Sequence, residues 1–315
     1  MENFDFYPKK PELIEPKQKT GLSVTIFSMV LFVLVFLLFL GNEFKFVLYL
    51  LIVLVIHELG HFLTMKLFGY KNVRMLFVPL MGAFVQGSKT TYSQKESLIV
   101  TGAGPFPGIV IGSFLVWYAS EIESTWLMTL ALLFLLLNII NLLPLDPLDG
   151  GQLFKLFIKQ NHELFLMIFA FLSSLFMIGF GWVISSYIIM LFGFFMGFRV
   201  RALQKKFQVH KELIEEEVNY STTYKLLSNK DFVIIKNIVL DHTPALRKFM
   251  DQAPSEESDS VIANQVNNIL VAPLKRDASL LFRCAILLLW ILSFVTPVIL
   301  FYAIDLNWFL PNYAL

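Results

Sequence analysis

Long apolar runs dominate this chain and alternate with short polar links. A helix needs about 20 apolar residues to cross a bilayer, and most of these runs reach that length. We predict spanning helices over residues 21–41, 44–66, 96–119, 124–143 and 279–303, and two short spans within 163–198 with a turn near Gly179 and Gly181. The pattern therefore predicts an all-α polytopic membrane protein with about seven transmembrane helices.

One segment between the second and third runs departs from this pattern. Residues 73–88 are too short to span and are interrupted by Pro79, Gly82 and Gly87. Their β-branched and aromatic residues, bounded by these breakers, are typical of a strand–turn–strand unit. We therefore predict a short membrane-associated β-hairpin here.

The polar segments suggest a division into four parts. We predict a cytosolic N-terminal tail over residues 1–20, a membrane core with about six transmembrane helices over 21–198, a small cytosolic, helical domain over 199–278, and a C-terminal transmembrane helix with a short tail over 279–315. In the third part, acidic and basic residues are interspersed along helical stretches, which is the usual pattern of a solvated surface.

Composition supports the membrane assignment and excludes some partners. The chain is 57% hydrophobic, 16% charged and has a mean hydropathy of +0.68, whereas a soluble domain rarely exceeds half apolar residues. The net charge of +1 gives no reason to expect nucleic acid as a partner. The single cysteine, Cys284, excludes an intrachain disulfide and a cysteine-based zinc site.

The distribution of lysine and arginine predicts the orientation. Basic residues are frequent in the N-terminal tail and in alternate loops, whereas the loops near 42–45 and 119–125 carry almost none. Because basic loops stay on the cytosolic side, we expect a cytosolic N-terminus and a site on the cytosolic side of the membrane. In a bacterium this would be the cytoplasmic membrane.

The second apolar run contains the sequence His57-Glu58-Leu59-Gly60-His61. Residues i and i+4 share one face of a helix, so His57 and His61 can bind a single zinc ion. Glu58 can then act as general base on a water activated by the metal. The alternative is a packed helix face, but burying three polar groups in an apolar segment without a partner would cost several kcal/mol.

A catalytic zinc site needs a third protein ligand. The best candidate is Asp149, in the segment 141–151, where prolines stop the fourth span and glycines permit a sharp turn. Asp146 is its rival, and Asp149 could alternatively cap the helix that starts near Gly151. The remaining histidines, His162, His210 and His242, lie in polar segments or at a loop edge.

The two motifs together resemble the site-2 protease family of intramembrane zinc metalloproteases. The matching residues are His57, Glu58 and His61 in the first motif and Asn141, Pro144, Asp149 and Gly150 in the second, Asn-x-x-Pro-x-x-x-x-Asp-Gly. The likeness covers about residues 44–160, including the segment that we predict as a hairpin. Gly108 departs from it, because many relatives have asparagine at this position.

The resemblance implies a function and a set of site residues. His57, His61 and Asp149 would hold a single Zn²⁺ per chain, Glu58 would be the catalytic glutamate, and Asn141 would position the substrate. The reaction would be hydrolysis of peptide bonds within or next to the transmembrane segment of a membrane protein. Because a helical substrate must unwind before attack, an extended segment of it could add as a strand to residues 73–88.

Two other classes of function remain open from the residues. A zinc or proton transporter also places histidine and carboxylate groups inside a membrane, although it should carry them in several spans. A different membrane metalloprotease would use a glutamate as third ligand. The candidates for that ligand are Glu163, Glu212, Glu215, Glu216 and Glu217.

Overall fold

The structure is a computed structural model. It describes residues 7–14, 22–40, 43–79, 82–158, 162–252, 254–304 and 308–309. The helices are α1 (Leu22–Leu40), α2 (Phe44–Leu67), α3 (Gln94–Gly102), α4 (Pro105–Glu121), α5 (Thr125–Leu142), α6 (Asp149–Phe157), α7 (His162–Val183), α8 (Tyr187–Glu215), α9 (Asn229–Asp241), α10 (Pro244–Gln252), α11 (Ser255–Ile269) and α12 (Leu280–Ala303). The strands are β1 (Lys71–Val78), β2 (Gly82–Ser88), β3 (Tyr92–Ser93) and β4 (Leu274–Lys275).

The fold is an all-α membrane fold, as the hydrophobic pattern predicted, with two small two-stranded sheets, β1–β2 and β3–β4. Among the described residues, five helical segments are long and apolar enough to cross a bilayer: Phe44–Leu67, Gln94–Glu121, Thr125–Leu142, Leu164–Val183 and Leu280–Ala303. Helix α1 is apolar but slightly shorter over its described side chains, and α8 is apolar only in its first half. The predicted count of about seven spans is therefore not confirmed, although the polytopic architecture is.

The turn between α7 and α8 lies later than the glycines suggested. Helix α7 continues to Val183, and α8 begins at Tyr187 after a turn in which Ser185 has a φ of 55°. Gly181 serves a different purpose, since a Cβ built on it would lie 2.8 Å from the backbone nitrogen of Met190. Its missing side chain lets the two helices approach closely next to the turn.

The predicted hairpin is present. Strands β1 and β2 are antiparallel, with Arg74 opposite Gln86 and Val78 opposite Gly82. Gly82 has a φ of +98°, which glycine adopts readily. Helix α1 engages one edge of the hairpin, because Thr25 Oγ1 donates to the carbonyl of Met75 at 2.8 Å and Phe77 N donates to Ser28 Oγ at 3.2 Å.

The chain divides into two compact units. The first comprises Met1–Gln18, Thr90–Tyr92 and Gln160–Leu274, and the second comprises Lys19–Lys89, Ser93–Lys159 and Lys275–Leu315. Helix α8 runs without a break across residues 198 and 199, where the sequence suggested that a membrane core ends and a polar domain begins. The domain boundaries drawn from the sequence remain predictions.

The first unit contains α7 to α11. The predicted small domain, residues 199–278, lies in this unit up to Leu274 and is mainly helical there, around a core that includes Leu213, Ile235 and Ile262. The N-terminal segment packs on this core through Lys10, whose ammonium group donates to the carbonyls of Tyr224, Lys225 and Leu227. Burial lowers the pKa of Lys10 from its usual value, and its contacts with carbonyl oxygens hold it against residues 224–227, which lie between α8 and α9.

The second unit contains α1 to α6, α12 and the hairpin. Its largest apolar core joins α4, α5, α6 and α12 and includes Ile109, Met128, Leu142, Leu153 and Ile286. The motif-bearing helix α2 packs against α5 through a smaller cluster of Val53, Leu133 and Phe134. This packing brings the middle of α2 next to the segment that links α5 to α6.

Candidate metal centre

Three side chains that the sequence predicted as ligands converge in the second unit. His57 and His61 lie one turn apart on α2, and Asp149 is the first residue of α6. The two Nε2 atoms are 3.2 Å apart, and Asp149 Oδ2 lies 3.0 Å from His57 Nε2 and 3.2 Å from His61 Nε2. Among the described residues, this is the one group of histidine, cysteine and acidic side chains that could hold a metal ion.

The donor set suits zinc. Zinc–nitrogen and zinc–oxygen bonds of about 2.0–2.2 Å at tetrahedral angles separate ligand atoms by about 3.3 Å, close to the observed triangle. Both histidines are almost fully buried, with 4% and 7% of their surface exposed. Two imidazole nitrogens and one carboxylate oxygen are donor atoms that zinc takes in catalytic sites.

The second nitrogen of each imidazole is also engaged. His57 Nδ1 lies 2.8 Å from Asn138 Oδ1, and His61 Nδ1 lies 2.7 Å from the carbonyl oxygen of Val100. Both partners are oxygen acceptors, so each histidine in its neutral form carries its proton on Nδ1 and directs the Nε2 lone pair to the centre. The rings are therefore oriented as metal ligands.

Glu58 lies beside this centre on the same helix. It is buried, with 5% of its surface exposed, in a segment that is apolar enough to span a membrane. Its carboxyl group is close enough to His57, His61 and Asp149 to interact electrostatically with all three. This position suits a group that accepts a proton from a water at the metal.

Glycines bring the backbone of the α3–α4 junction onto the histidines. A Cβ built on Gly60 would lie 2.0 Å from the carbonyl oxygen of Ala103, and one built on Gly104 would lie 2.4 Å from His61 Nε2 and 2.9 Å from His57 Nε2. Even the smallest side chain at residue 104 would therefore occupy the space between the ligand atoms. This assigns a role to Gly60, within the first motif, and to Gly104, immediately before α4.

A tight linkage between α5 and α6 delivers Asp149. A Cβ on Gly150 would lie 2.0 Å from the carbonyl oxygen of Leu142, and one on Gly151 would lie 2.3 Å from that of Leu145. The end of α5 is also fixed from α12, because Trp290 Nε1 donates to the Leu142 carbonyl at 2.8 Å. Only glycine permits the chain to fold back so closely. This return places the first residue of α6 next to the two histidines.

Asp146, the rival third ligand, has a different partner. Its carboxylate accepts from the Lys155 ammonium group, and both side chains are buried. This ion pair spans the segment that carries Asp149, from before α6 to its last turn. The carboxylate that meets the histidines is therefore that of Asp149.

The other candidate residues lie elsewhere. Asn141 is half-buried near the end of α5. His210 Nε2 donates to the carbonyl of Ile269 at 2.7 Å, and His242 Nε2 lies 2.7 Å from Glu212 Oε1. The side chains of His162 and Glu163 fall outside those that the structure describes, and Glu215, Glu216 and Glu217 are exposed at or just after the end of α8.

Two polar residues near the site were not singled out from the sequence. Asn138 contacts His57, and Lys155 pairs with Asp146. A signal for Asn138 was available, because an amide in an apolar span must find a hydrogen-bond partner and residue 138 shares a helix face with Asn141, three residues on. The partner of Lys155 depends on how the α5–α6 linkage folds, which no local pattern gives.

Buried histidines on a membrane helix, a neighbouring glutamate and a carboxylate from a second segment are the arrangement of a membrane metalloprotease. Residues 45–123 match the model of Peptidase family M50, the site-2 protease family, and this part of the chain is similar to that family. The matched residues include His57, Glu58 and His61, whereas Asp149 lies beyond them. The resemblance that the two motifs predicted is confirmed. It disfavours an unrelated metalloprotease with a glutamate third ligand.

One solved structure is also similar. It is the site-2 protease from Methanocaldococcus jannaschii, which is 26% identical over 56% of this chain and 87% of that chain, with a TM-score of 0.43. The comparison with curated proteins gave no match.

Proposed function

We propose that this protein is an intramembrane zinc metalloprotease that hydrolyses peptide bonds within or next to the transmembrane segment of a membrane-protein substrate. The observation that carries the proposal is the triangle of His57, His61 and Asp149, with ligand atoms 3.0–3.2 Å apart, beside the buried Glu58. We assign a single Zn²⁺ per chain to this triangle. Asn141 is proposed to position the substrate, as the family resemblance implies.

The proposed reaction divides the work between metal and protein. Zinc, when bound, polarises the scissile carbonyl and lowers the pKa of a water molecule toward neutrality. Glu58 accepts the proton of the attacking water and passes it to the leaving amine. Its burial beside the centre keeps bulk water from competing for that proton.

The alternative function as a zinc or proton transporter has less support. A transporter needs polar groups along a path through several spans. In the described part of the chain, the groups that could hold a metal converge at one point. This convergence favours local chemistry over conduction.

Removal of the metal is expected to stop proteolysis reversibly. The purified protein would be reconstituted with a panel of single-span model peptides, treated with a chelator, and then resupplied with zinc. Cleavage should disappear with the chelator and return with zinc, because the carbonyl is polarised only when the metal is present. Cleavage that persists in metal-free protein, or no cleavage of any panel peptide by zinc-loaded protein, would contradict the proposal.

The outer edge of β2 is our candidate for pairing with an extended substrate. The carbonyl of Met75 and the N–H of Phe77 form hydrogen bonds with side chains of α1, so these two groups point away from β2. Their partners in the register are Val85 and Ala83. In an antiparallel pair, two directly opposite residues that form no hydrogen bonds with each other both direct their backbone N–H and C=O groups away from the partner strand. Ala83 and Val85 therefore present these groups at the outer edge of β2. We propose that the substrate adds as a strand at this edge of residues 73–88.

Val85→Pro is expected to weaken substrate binding while leaving the hairpin paired. Proline at residue 85 removes an outward N–H but none of the bonds to β1. Loss of one hydrogen bond and the added bulk should lower kcat/KM about 10-fold, mainly through KM. Val85→Ala is the matched control, because it shortens the side chain but keeps the N–H. Equal kcat/KM for the two variants, with zinc content unchanged, would reject strand addition at this edge.

We also propose the orientation that the basic residues predict. The N-terminus lies in the cytosol and the site opens toward the cytosolic side. In a bacterium the protein would reside in the cytoplasmic membrane. The asymmetry of lysine and arginine between alternate loops supports this assignment.

A further inference from the structure

Asn138 is fully buried beside the centre, in an otherwise apolar stretch of α5. It has 0% of its surface exposed, and both ends of its amide have a partner. Its Nδ2 donates to the carbonyl of Phe134 at 2.7 Å, and its Oδ1 lies 2.8 Å from His57 Nδ1. A buried amide with both ends engaged has a fixed orientation.

That orientation determines the state of His57. The amide nitrogen faces Phe134, so the amide oxygen faces the imidazole, and an oxygen of this kind only accepts hydrogen bonds. In the neutral imidazole of His57 the proton therefore lies on Nδ1, and the Nε2 lone pair is left for a metal ion. In many proteins, hydrogen-bond acceptors of this kind fix the tautomer and ring orientation of metal-binding histidines, and their loss typically lowers metal affinity.

Gly108 on α4 provides the space for this side chain. A Cβ built on Gly108 would lie 2.2 Å from Asn138 Nδ2 and 2.3 Å from both Cγ and Oδ1. These contacts are far inside van der Waals distance, and the enclosed asparagine has no room to move while it keeps both hydrogen bonds. The missing side chain of Gly108 therefore leaves the space that Asn138 occupies.

We propose that Asn138 is a positioning residue, which holds His57 in its metal-binding tautomer. The absence of a side chain at Gly108 provides the space that this role requires. The inference rests on the proposed zinc site. Asn138 touches neither substrate nor metal in this account and acts only through His57. A purely structural role would instead make Asn138 a packing residue between α4 and α5.

A pair of variants separates the two roles. Asn138→Leu keeps the approximate shape but removes the acceptor, whereas Asn138→Asp keeps an oxygen toward His57. Zinc affinity would be measured on the full-length protein in detergent by competition with a chelator. We expect Asn138→Leu to bind zinc about 10- to 100-fold more weakly, with thermal unfolding of the metal-free protein unchanged, and Asn138→Asp to restore most of the affinity.

Gly108→Ala tests the space in the same assay. It should weaken zinc binding in the wild-type background, because the new methyl group displaces Asn138 from His57. In an Asn138→Ala background the same change should not weaken zinc binding further, since the cavity then accepts the methyl group. Non-additive losses of this kind support the proposal, and equal losses in both backgrounds would overturn it.

Two further outcomes would overturn the inference. One is wild-type zinc affinity in folded Asn138→Leu, and the other is an Asn138→Asp variant as weak as Asn138→Leu. Failure of the wild-type protein to bind zinc is a separate result. It would reject the proposed function itself.

Discussion

Glu58→Gln is expected to lower the rate of peptide cleavage by about 10²- to 10⁴-fold, the usual contribution of a general acid–base residue. Glutamine keeps the size of the side chain but cannot accept the proton of the attacking water. Glu58 is buried beside His57 and His61 but is not one of the three proposed ligands. The substitution should therefore leave the ligand triangle unchanged. Zinc content should therefore remain at the wild-type value while cleavage of reconstituted peptides is lost.

A matched control is available at the end of α4. Glu121→Gln makes the same chemical change at an exposed carboxylate and should leave cleavage unaltered. If Glu58→Gln cleaves as fast as Glu121→Gln, Glu58 is not the proton acceptor. If Glu58→Gln loses zinc as well, its effect is on the ligands and not on the chemistry.

Lys155→Met is expected to have the largest effect on stability. The Lys155 ammonium group pairs with Asp146, which has 0% of its surface exposed. Removing one partner of a buried ion pair leaves an uncompensated charge and costs about 3–5 kcal/mol. The change should be visible as a marked drop in thermal unfolding temperature, and it should also weaken zinc binding because the pair braces the segment that carries Asp149.

The double variant Asp146→Leu, Lys155→Met provides the control. Replacement of both partners of a buried pair by apolar residues is often neutral or even stabilising, so most of the lost stability should return. Similar destabilisation in the single and double variants would mean that Lys155 acts through packing of its side chain and not through its charge.

The ligands on α2 were predictable because their chemistry is local. His57 and His61 need only a helix to share a face, and a long apolar run guarantees the helix. Asp149 required more, since Asp146 was chemically equivalent in the sequence. The choice between them depends on Lys155, which reaches back across the turn to neutralise Asp146.

Residues whose role depends on helix–helix contacts were harder to predict from the sequence. The two asparagines of α5 indicate a face that needs polar partners, but the sequence does not show which helix that face meets, so the contact of Asn138 with His57 could not be derived. The sequence predicts a turn near Gly179 and Gly181, whereas the turn lies a few residues later, at residues 184–186. Glycine signals a turn and a close helix contact equally well, and only the three-dimensional packing separates the two.

The measurement that tests the account most directly is the metal content of the purified full-length protein. Elemental analysis would compare wild type, His57→Ala and the control His242→Ala, whose imidazole contacts Glu212 in the first unit. The account predicts about one zinc per chain in wild type and in His242→Ala, and almost none in His57→Ala. Zinc-free wild type, or equal zinc in all three proteins, would contradict it.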